Sequence, residues 1–374
     1  MPSSQHLRWL WLAGALLAAG WGWPPAAAGN VVVLANRTAA KVDFTLIQPN
    51  GTEQRYSLAP REVMPIPIAD KAGIAFDSGG TPRRYLLRAN TIQFFVTRGD
   101  KLDMVEIGLP ESTDDKAIAP VLRSRVMASV GVVPVKLLVD DGEPTVQQVW
   151  EKRLRDRLKE ASDIIQRHCR IRLEVVAVDT WVSDSTILSF EKSLREFESK
   201  VKPAPALLAI GFTSKYKTFR GRTDMGGTRG PLRSHILIRE WSQYVSMSER
   251  LEILVHELGH FLGAAHSAEG DSVMRPQFGD HRSNARSFRI GFDPINTFAM
   301  YLLGEELRMR PLRGLADVSP STKLLLRSAY LALAQAMPAD SAAERYLKLL
   351  DHVPLPETPQ SQPKQVSSAG GSGG

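Results

Sequence analysis

Three of the chain's eight histidines fall within eleven residues, in the stretch HELGHFLGAAH that begins at His256. His256 and His260 are four residues apart, so on a helix both imidazoles face the same side. Imidazole nitrogens are common ligands of Zn²⁺ in proteins. Glu257 would lie on the neighbouring edge, beside the ion and not bound to it. The spacing therefore predicts a zinc site with a carboxylate next to its open coordination position.

A third ligand is available in His266, but an unbroken helix would point its side chain away from the other two. Gly263 lies between His260 and His266, and glycine tolerates the positive φ at which a helix can stop and the chain can turn back. Three neutral imidazoles would hold one zinc ion and leave the fourth position for water. We therefore predict that His256, His260 and His266 are the metal ligands and that Gly263 breaks the helix.

A site of this kind predicts hydrolysis. Zinc lowers the pKa of a bound water from about 15.7 towards ~7, and it also polarises a carbonyl group. Glu257 is then placed to accept the proton and pass it to the leaving amine. If the histidines only filled a helix face, or if the zinc were structural, Glu257 would have no task. A structural zinc site, moreover, usually closes with a fourth protein ligand.

The motif resembles a known family. HELGHFLGAAH matches the H-E-x-x-H-x-x-G-x-x-H signature of the metzincin metallopeptidases, and Met274, eight residues beyond His266, resembles their Met-turn. The resemblance implies that Met274 forms a hydrophobic base beneath the imidazoles. Ser267 and Pro276 are most similar to the matrixin branch. Because Pro276 stands where astacins and serralysins have a tyrosine ligand, no such ligand is expected.

Two features of matrixins are missing from the sequence. Matrixins are kept latent by a propeptide cysteine, whereas the only cysteine here is Cys169, so that switch is not expected. The His- and Asp-rich loop that holds their structural zinc is not evident either. We therefore expect one catalytic zinc ion, and the sequence does not support a structural zinc or calcium ion.

The zinc helix has a clear predicted start, because Ser246 and Glu249 form a capping box before its apolar positions. From about residue 130, strands and helices alternate, which predicts an α/β (α+β) layer. The resemblance covers roughly residues 130–310 and implies a metzincin-like order of strand, long helix, strand, helix, strand, edge strand and zinc helix. It also implies that an extended peptide pairs with the edge strand, for which the candidate residues are His235, Ile236, Leu237 and Ile238.

Before this layer, residues 30–125 contain short apolar or alternating runs separated by turn signals, which predict a small antiparallel sandwich or barrel. The composition of the last twenty residues, rich in Pro, Gln, Ser and Gly, predicts disorder. The predicted units are a β-rich accessory or propeptide domain (29–125), a metzincin-like catalytic domain (130–312), a helical extension (313–354) and a disordered tail (355–374).

Residues 1–28 have the pattern of a secretory signal peptide. Arg8 precedes an apolar segment, and Ala26 and Ala28 supply the small residues of a cleavage site. The apolar run is shorter than the ~20 residues that span a bilayer, which favours cleavage over a membrane anchor. A secreted or otherwise extracytoplasmic protein without a stable membrane anchor is expected.

The net charge of +7 is spread along the chain and forms no basic run. Together with the lack of a nucleic-acid motif, this argues against a nucleic-acid partner. The sequence predicts a secreted zinc endopeptidase whose substrate is a protein or peptide. Two alternatives stay open: a non-catalytic binding protein on a metzincin scaffold, and a zinc amidase acting on a cell-wall peptide. The motif defines the nucleophile better than the substrate.

Overall fold

A computed structural model describes residues 30–68, 71–110, 130–214, 225–240, 245–276, 285 and 289–351. The predicted signal peptide (1–28) and tail (355–374) lie outside the described residues. No helix in the described ranges combines the length and apolar character that crossing a bilayer requires.

The first part of the described chain is a β-sandwich of eight strands. They are β1 (Val31–Asn36), β2 (Val42–Ile47), β3 (Glu53–Leu58), β4 (Val63–Pro67), β5 (Lys71–Asp77), β6 (Pro82–Arg88), β7 (Thr91–Arg98) and β8 (Lys101–Ile107). They form two four-stranded sheets, in the orders β4-β1-β7-β8 and β3-β2-β5-β6. The expectation of a purely antiparallel module was wrong at one pair, because β1 and β7, far apart in the chain, run parallel.

An α/β layer follows. Its elements are β9 (Gly131–Asp140), α1 (Gln147–Cys169), β10 (Ile171–Trp181), α2 (Phe190–Lys200), β11 (Leu208–Thr213), β12 (Gly226–Thr228), β13 (His235–Arg239) and α3 (Met247–Phe261). The sheet order is β10-β9-β11-β13-β12, and only β12 runs antiparallel to its neighbour. The core between this sheet and the helices includes Leu154 of α1, Ile210 of β11 and Leu254 of α3.

The predicted edge strand is not at the edge of the sheet. β13, which carries His235, Ile236, Leu237 and Ile238, pairs with β11 on one side and with β12 on the other. All five of its residues are buried, as is usual for a strand with neighbours on both sides. An extended peptide cannot add to a strand whose two edges are both paired, so that prediction was wrong. Among the strands that the structure describes, the edge position next to α3 belongs to the short, glycine-rich β12.

Three further helices complete the described chain: α4 (Pro294–Met309), α5 (Pro320–Ala336) and α6 (Ala342–Asp351), with a 3-10 turn at Leu315–Asp317. The carboxylate of Asp293 accepts a hydrogen bond from the Asn296 backbone N–H, and Pro294 occupies the first turn of α4. Asp293 and Pro294 therefore define where α4 begins.

Helix α4 contributes side chains to two hydrophobic cores. Met300 of α4 belongs to the core of the α/β layer, whereas Phe298 and Leu302 pack in a second core with α5 and α6. That second core also contains Val31 and Val33 of β1. The C-terminal helices therefore pack against both the α/β layer and the β-sandwich. The predicted domain boundaries stay predictions.

Candidate metal centre

Helix α3 presents the first two histidines. The Ser246 hydroxyl accepts from the Glu249 backbone N–H at 3.2 Å, and the Glu249 carboxylate accepts from the Ser246 N–H at 2.8 Å. This confirms the predicted capping box. One turn apart near the end of the helix, the rings of His256 and His260 have centroids 4.5 Å apart.

The chain reverses direction after α3 ends at Phe261. Gly263 has φ of 90°, in the region that favours glycine, and its carbonyl accepts a hydrogen bond of 2.9 Å from the Tyr330 hydroxyl. Asn296 then holds the returning segment: its side-chain amide donates to the Ala265 carbonyl and accepts from the Ala265 N–H, both at 2.9 Å. The break in the helix is thus fixed by contacts from α4 and α5.

The return of the chain brings His266 to the other two histidines. Its ring centroid lies 4.9 Å from that of His260 and 5.4 Å from that of His256. One ligand nitrogen from each of the three residues lies within 4.8 Å of the others, close enough for the trio to bind a metal ion.

In each ring, the contact of Nδ1 indicates which nitrogen is left to bind a metal. Nδ1 of His256 lies 2.8 Å from the Val273 carbonyl oxygen, and Nδ1 of His260 lies 2.9 Å from that of Ala264. A carbonyl oxygen can only accept, so both Nδ1 atoms carry the proton. Nδ1 of His266 lies 2.6 Å from the Asp340 carboxylate. With Nδ1 donating in all three rings, Nε2 is the nitrogen left to bind a metal, and this donor set fits zinc.

Burial also keeps two of the rings neutral. Burial, followed by the neighbouring imidazoles of His260 and His266, holds the pKa of His256 well below its usual range. Burial and the His266 imidazole lower the pKa of His260 to about 3. Neutral imidazole is the form that binds a metal, so no proton has to be displaced from these two ligands at neutral pH.

Met274 lies under this part of α3 and is fully buried. Its sulfur is 2.7 Å from the point where a Cβ on Gly259 would stand, so the close approach depends on that glycine. The Met274 carbonyl accepts from the Ser267 N–H at 2.9 Å, which closes the turn. The same turn supplies the Val273 carbonyl that orients His256.

Glu257 is buried beside the edge strand of the sheet. A Cβ on Gly226 would lie 2.8 Å from Glu257 Oε1, so the backbone of β12 passes directly against this carboxylate. The candidate proton acceptor and the edge of the sheet therefore meet at Gly226.

The four residues predicted to receive a peptide lie on β13, one strand in from the edge. The ring of His235 packs edge-on against Phe197 of α2, and its Nε2 lies 3.0 Å from the Val201 carbonyl oxygen. His235 thus packs towards α2, and Ile236, Leu237 and Ile238 are interior residues of the sheet.

Several residues of the site have no signal in the motif. Asp340, 74 residues beyond His266, contacts it directly. Burial opposes ionisation of Asp340, but hydrogen bonds from the Ala342 N–H and from His266 hold the pKa of its carboxyl below the usual value. The Tyr346 hydroxyl oxygen lies 3.1 Å from Nδ1 of His260. Asp340 precedes a helix start, a common place for Asp, so its type and position did not mark it as part of the site.

The family model for matrixins matches residues 239–297, a segment that contains the three histidines, Glu257 and Met274. No curated protein matches the chain. A solved structure titled "Structure of a chaperone-substrate complex" is similar with a TM-score of 0.31 and 10% identity, covering 75% of this chain and 43% of that chain. This chain thus spans less than half of that one. The matrixin match and the histidine trio support a matrixin-like zinc metallopeptidase.

Proposed function

We propose that the chain is a secreted zinc endopeptidase that hydrolyses protein or peptide bonds. One observation carries the proposal: His256, His260 and His266 converge with Nδ1 engaged in each ring, next to the buried carboxylate of Glu257. The matrixin match covers the same residues. The secreted location rests on the signal-like residues 1–28 alone.

The residues of the site would have three roles in hydrolysis: binding zinc, transferring a proton and orienting the imidazoles. Zinc bound by the three imidazoles would supply a water of lowered pKa and polarise the scissile carbonyl. Glu257 accepts the proton of the attacking water and delivers it to the leaving amine. The Val273 and Ala264 carbonyls and the Asp340 carboxylate hold the imidazoles in the tautomer that leaves Nε2 available.

The substrate would lie along β12 and not along β13. Among the described strands β12 pairs only with β13, so we expect its outer backbone N–H and C=O groups to pair with an extended peptide. Because Gly226 has no side chain, the backbone of this strand can run against Glu257. A peptide paired with β12 would therefore bring its backbone next to the proton acceptor.

Substitution of the carboxylate tests the proposal. Glu257→Gln keeps the shape of the side chain but cannot accept a proton, and general acid–base catalysis typically contributes about 10²–10⁴-fold. We expect casein cleavage by Glu257→Gln to fall by about 10²–10⁴-fold in kcat/KM, while zinc per chain, measured by elemental analysis, stays at the wild-type value. A chelated wild-type sample should be inactive and should regain activity with added zinc.

Glu160→Gln is the matched control, because Glu160 is an exposed carboxylate on α1. It should retain wild-type cleavage. If Glu257→Gln cleaved casein as fast as Glu160→Gln, Glu257 would not be the proton acceptor. A zinc-loaded wild type that produced no peptides from any protein substrate would instead indicate a non-catalytic role.

A further inference from the structure

The metal centre receives a side chain from the last helical hairpin of the described chain. Asp340 lies in the connection between α5 and α6, and its Oδ2 accepts from Nδ1 of His266 at 2.6 Å. Its other oxygen, Oδ1, accepts from the Ala342 backbone N–H at 2.8 Å, at the start of α6. The carboxylate is thus fixed at one oxygen by the helix and meets the third histidine with the other.

His266 depends on such a contact more than the other two histidines do. His256 and His260 are on α3, are almost fully buried and donate to backbone carbonyls. His266 lies beyond the helix break, and its side chain keeps 24% of its surface exposed. An imidazole on a non-helical segment at a solvent-exposed edge has more orientations available, and a fixed acceptor on Nδ1 restricts them.

Two tyrosines of the α5–α6 hairpin also contact the zinc-binding segment. The Tyr330 hydroxyl of α5 bonds to the carbonyl of Gly263, and the Tyr346 hydroxyl of α6 lies against His260. The two tyrosine rings pack edge to face, with centroids 5.4 Å apart. Both helices thus have polar contacts with the zinc-binding segment in addition to their apolar packing.

We propose that Asp340 is a positioning residue of the metal centre. It orients His266, keeps the proton on Nδ1 and makes Nε2 a more basic ligand for the metal. The α5–α6 hairpin is then part of the zinc site. This inference rests on the proposed zinc function and adds the residue on which the third ligand depends. Carboxylates that bond to a metal-binding histidine typically contribute 10–100-fold to metal affinity.

Two substitutions separate this role from a role in starting α6. Asp340→Asn has one acceptor oxygen; if that oxygen serves the Ala342 N–H, its NH₂ group faces His266 and favours the tautomer with the proton on Nε2. Asp340→Ser can still accept from the residue two positions on, though more weakly, but is too short to reach His266. If Asp340 only started the helix, Ser would restore wild-type behaviour.

Asp351→Asn is the matched control. Asp351 is on the same hairpin and forms an ion pair with Arg327, at an exposed position where no described contact reaches the metal centre. This variant removes a carboxylate of similar context without touching a ligand.

The measurement is the zinc dissociation constant of the full chain, by competition with a chromophoric chelator. It is accompanied by the visible spectrum of the Co²⁺-substituted protein and by the melting temperature of each metal-free variant. We expect Asp340→Asn and Asp340→Ser to weaken zinc binding by about 10–100-fold and to change the Co²⁺ spectrum. Asp351→Asn should match the wild type in both.

Four results would overturn the inference. Asp340 variants that bind zinc as tightly as Asp351→Asn would show that the contact does not orient His266. Recovery of the wild-type constant in Asp340→Ser, or a metal-free Asp340→Asn that is itself unfolded, would assign Asp340 a structural role only. A wild type that binds no zinc would overturn the proposed function, and this inference with it, so the two failures are distinguishable.

Discussion

Individual residues of the metal centre differ in how visible they are in a sequence. His256, Glu257 and His260 are local: a four-residue spacing on one helix is enough to bring the two imidazoles together. His266 also follows from local chemistry, because Gly263 permits the turn. Asp340 and Asn296 do not, since their contacts depend on how α4, α5 and α6 pack on the broken helix. A motif describes the ligands but not the acceptors that orient them.

Another buried histidine, outside the metal centre, makes stability depend on pH. His168 lies in the last turn of α1, with Nδ1 2.9 Å from the Thr297 hydroxyl and its ring packed edge-on against Phe292. Burial, with a smaller effect from Arg167, lowers the pKa of His168 to about 3. Between pH 6.5 and 3 the unfolded chain therefore binds a proton at this residue that the folded chain does not.

His168 should consequently make the fold weaker as the pH falls below about 6.5, by up to about 1.4 kcal/mol per pH unit. His168→Gln cannot take up this proton, so its free energy of unfolding should fall less steeply. Urea unfolding of the metal-free wild type and His168→Gln at several pH values from 7 to 4 measures how the free energy of unfolding changes with pH. This comparison does not depend on the absolute stability of the variant. Parallel slopes would contradict the prediction.

At the scale of elements, the sequence predicted strands best where their apolar residues were most evident. Six of the sandwich strands have clear apolar or alternating runs. Strand β3 was missed because most of its residues are polar and exposed. Strand β8 was missed because Lys101, Asp103 and Glu106 interrupt its apolar residues, most of which are only partly buried. In the α/β layer, β12 was missed because three residues, two of them glycine, form no pattern. That omission also led to the wrong edge strand. The sequence of a buried apolar strand such as β13 does not indicate whether it is paired on one side or on both.

The end of α3 supplies a prediction about an element boundary. Gly263 has φ of 90°, and a Cβ there would lie 3.0 Å from the Tyr330 hydroxyl oxygen and 3.1 Å from Leu303 Cδ2. Gly263→Ala should cost about 1–3 kcal/mol of backbone strain, plus a steric penalty. Because relief of this strain moves the segment leading to His266, we also expect less than one zinc per chain.

Gly80→Ala is the control for Gly263→Ala. Gly80 has a similar φ of 81°, but no atom lies within 4 Å of its Cβ position, and it lies in the turn between β5 and β6 of the sandwich. Thermal unfolding should show a loss for both variants, while elemental analysis should show a zinc loss only for Gly263→Ala. Equal zinc contents would mean that the turn after α3 does not depend on this glycine.

Over the whole molecule, the β-sandwich is connected to the metal centre by both charge and packing. Arg37 and Arg61, in loops of the sandwich, form ion pairs with Glu269 and Asp271, which lie between His266 and Met274. Val31 and Ile92 share a core with α4, α5 and α6. The sequence left open whether this module is a propeptide or a retained domain; the shared core favours retention, because removal would expose apolar residues of both parts.

We therefore predict that residues 30–110 remain in the active enzyme. Intact-mass measurement of the active species purified from the culture medium should include them, and a chain beginning at residue 130 should be insoluble or lose zinc. Exposed ion pairs contribute little, so Arg61→Ala should leave solubility and zinc content unchanged. An active species that lacks residues 30–110 would show that the module is a propeptide.

Strand β1 also bears on when the protein can acquire its final structure. All six of its residues are buried, with Val32 and Leu34 facing the interior of the sandwich and Val31 and Val33 facing helices that are made some 270–320 residues later. Contacts between such distant parts of a chain form slowly, since a large loop must close first. Strand β1, the first of the described strands to leave the ribosome, therefore cannot complete its packing until α4, α5 and α6 have been synthesised. A chain truncated before α6 would leave apolar surface exposed to aggregation or to chaperones.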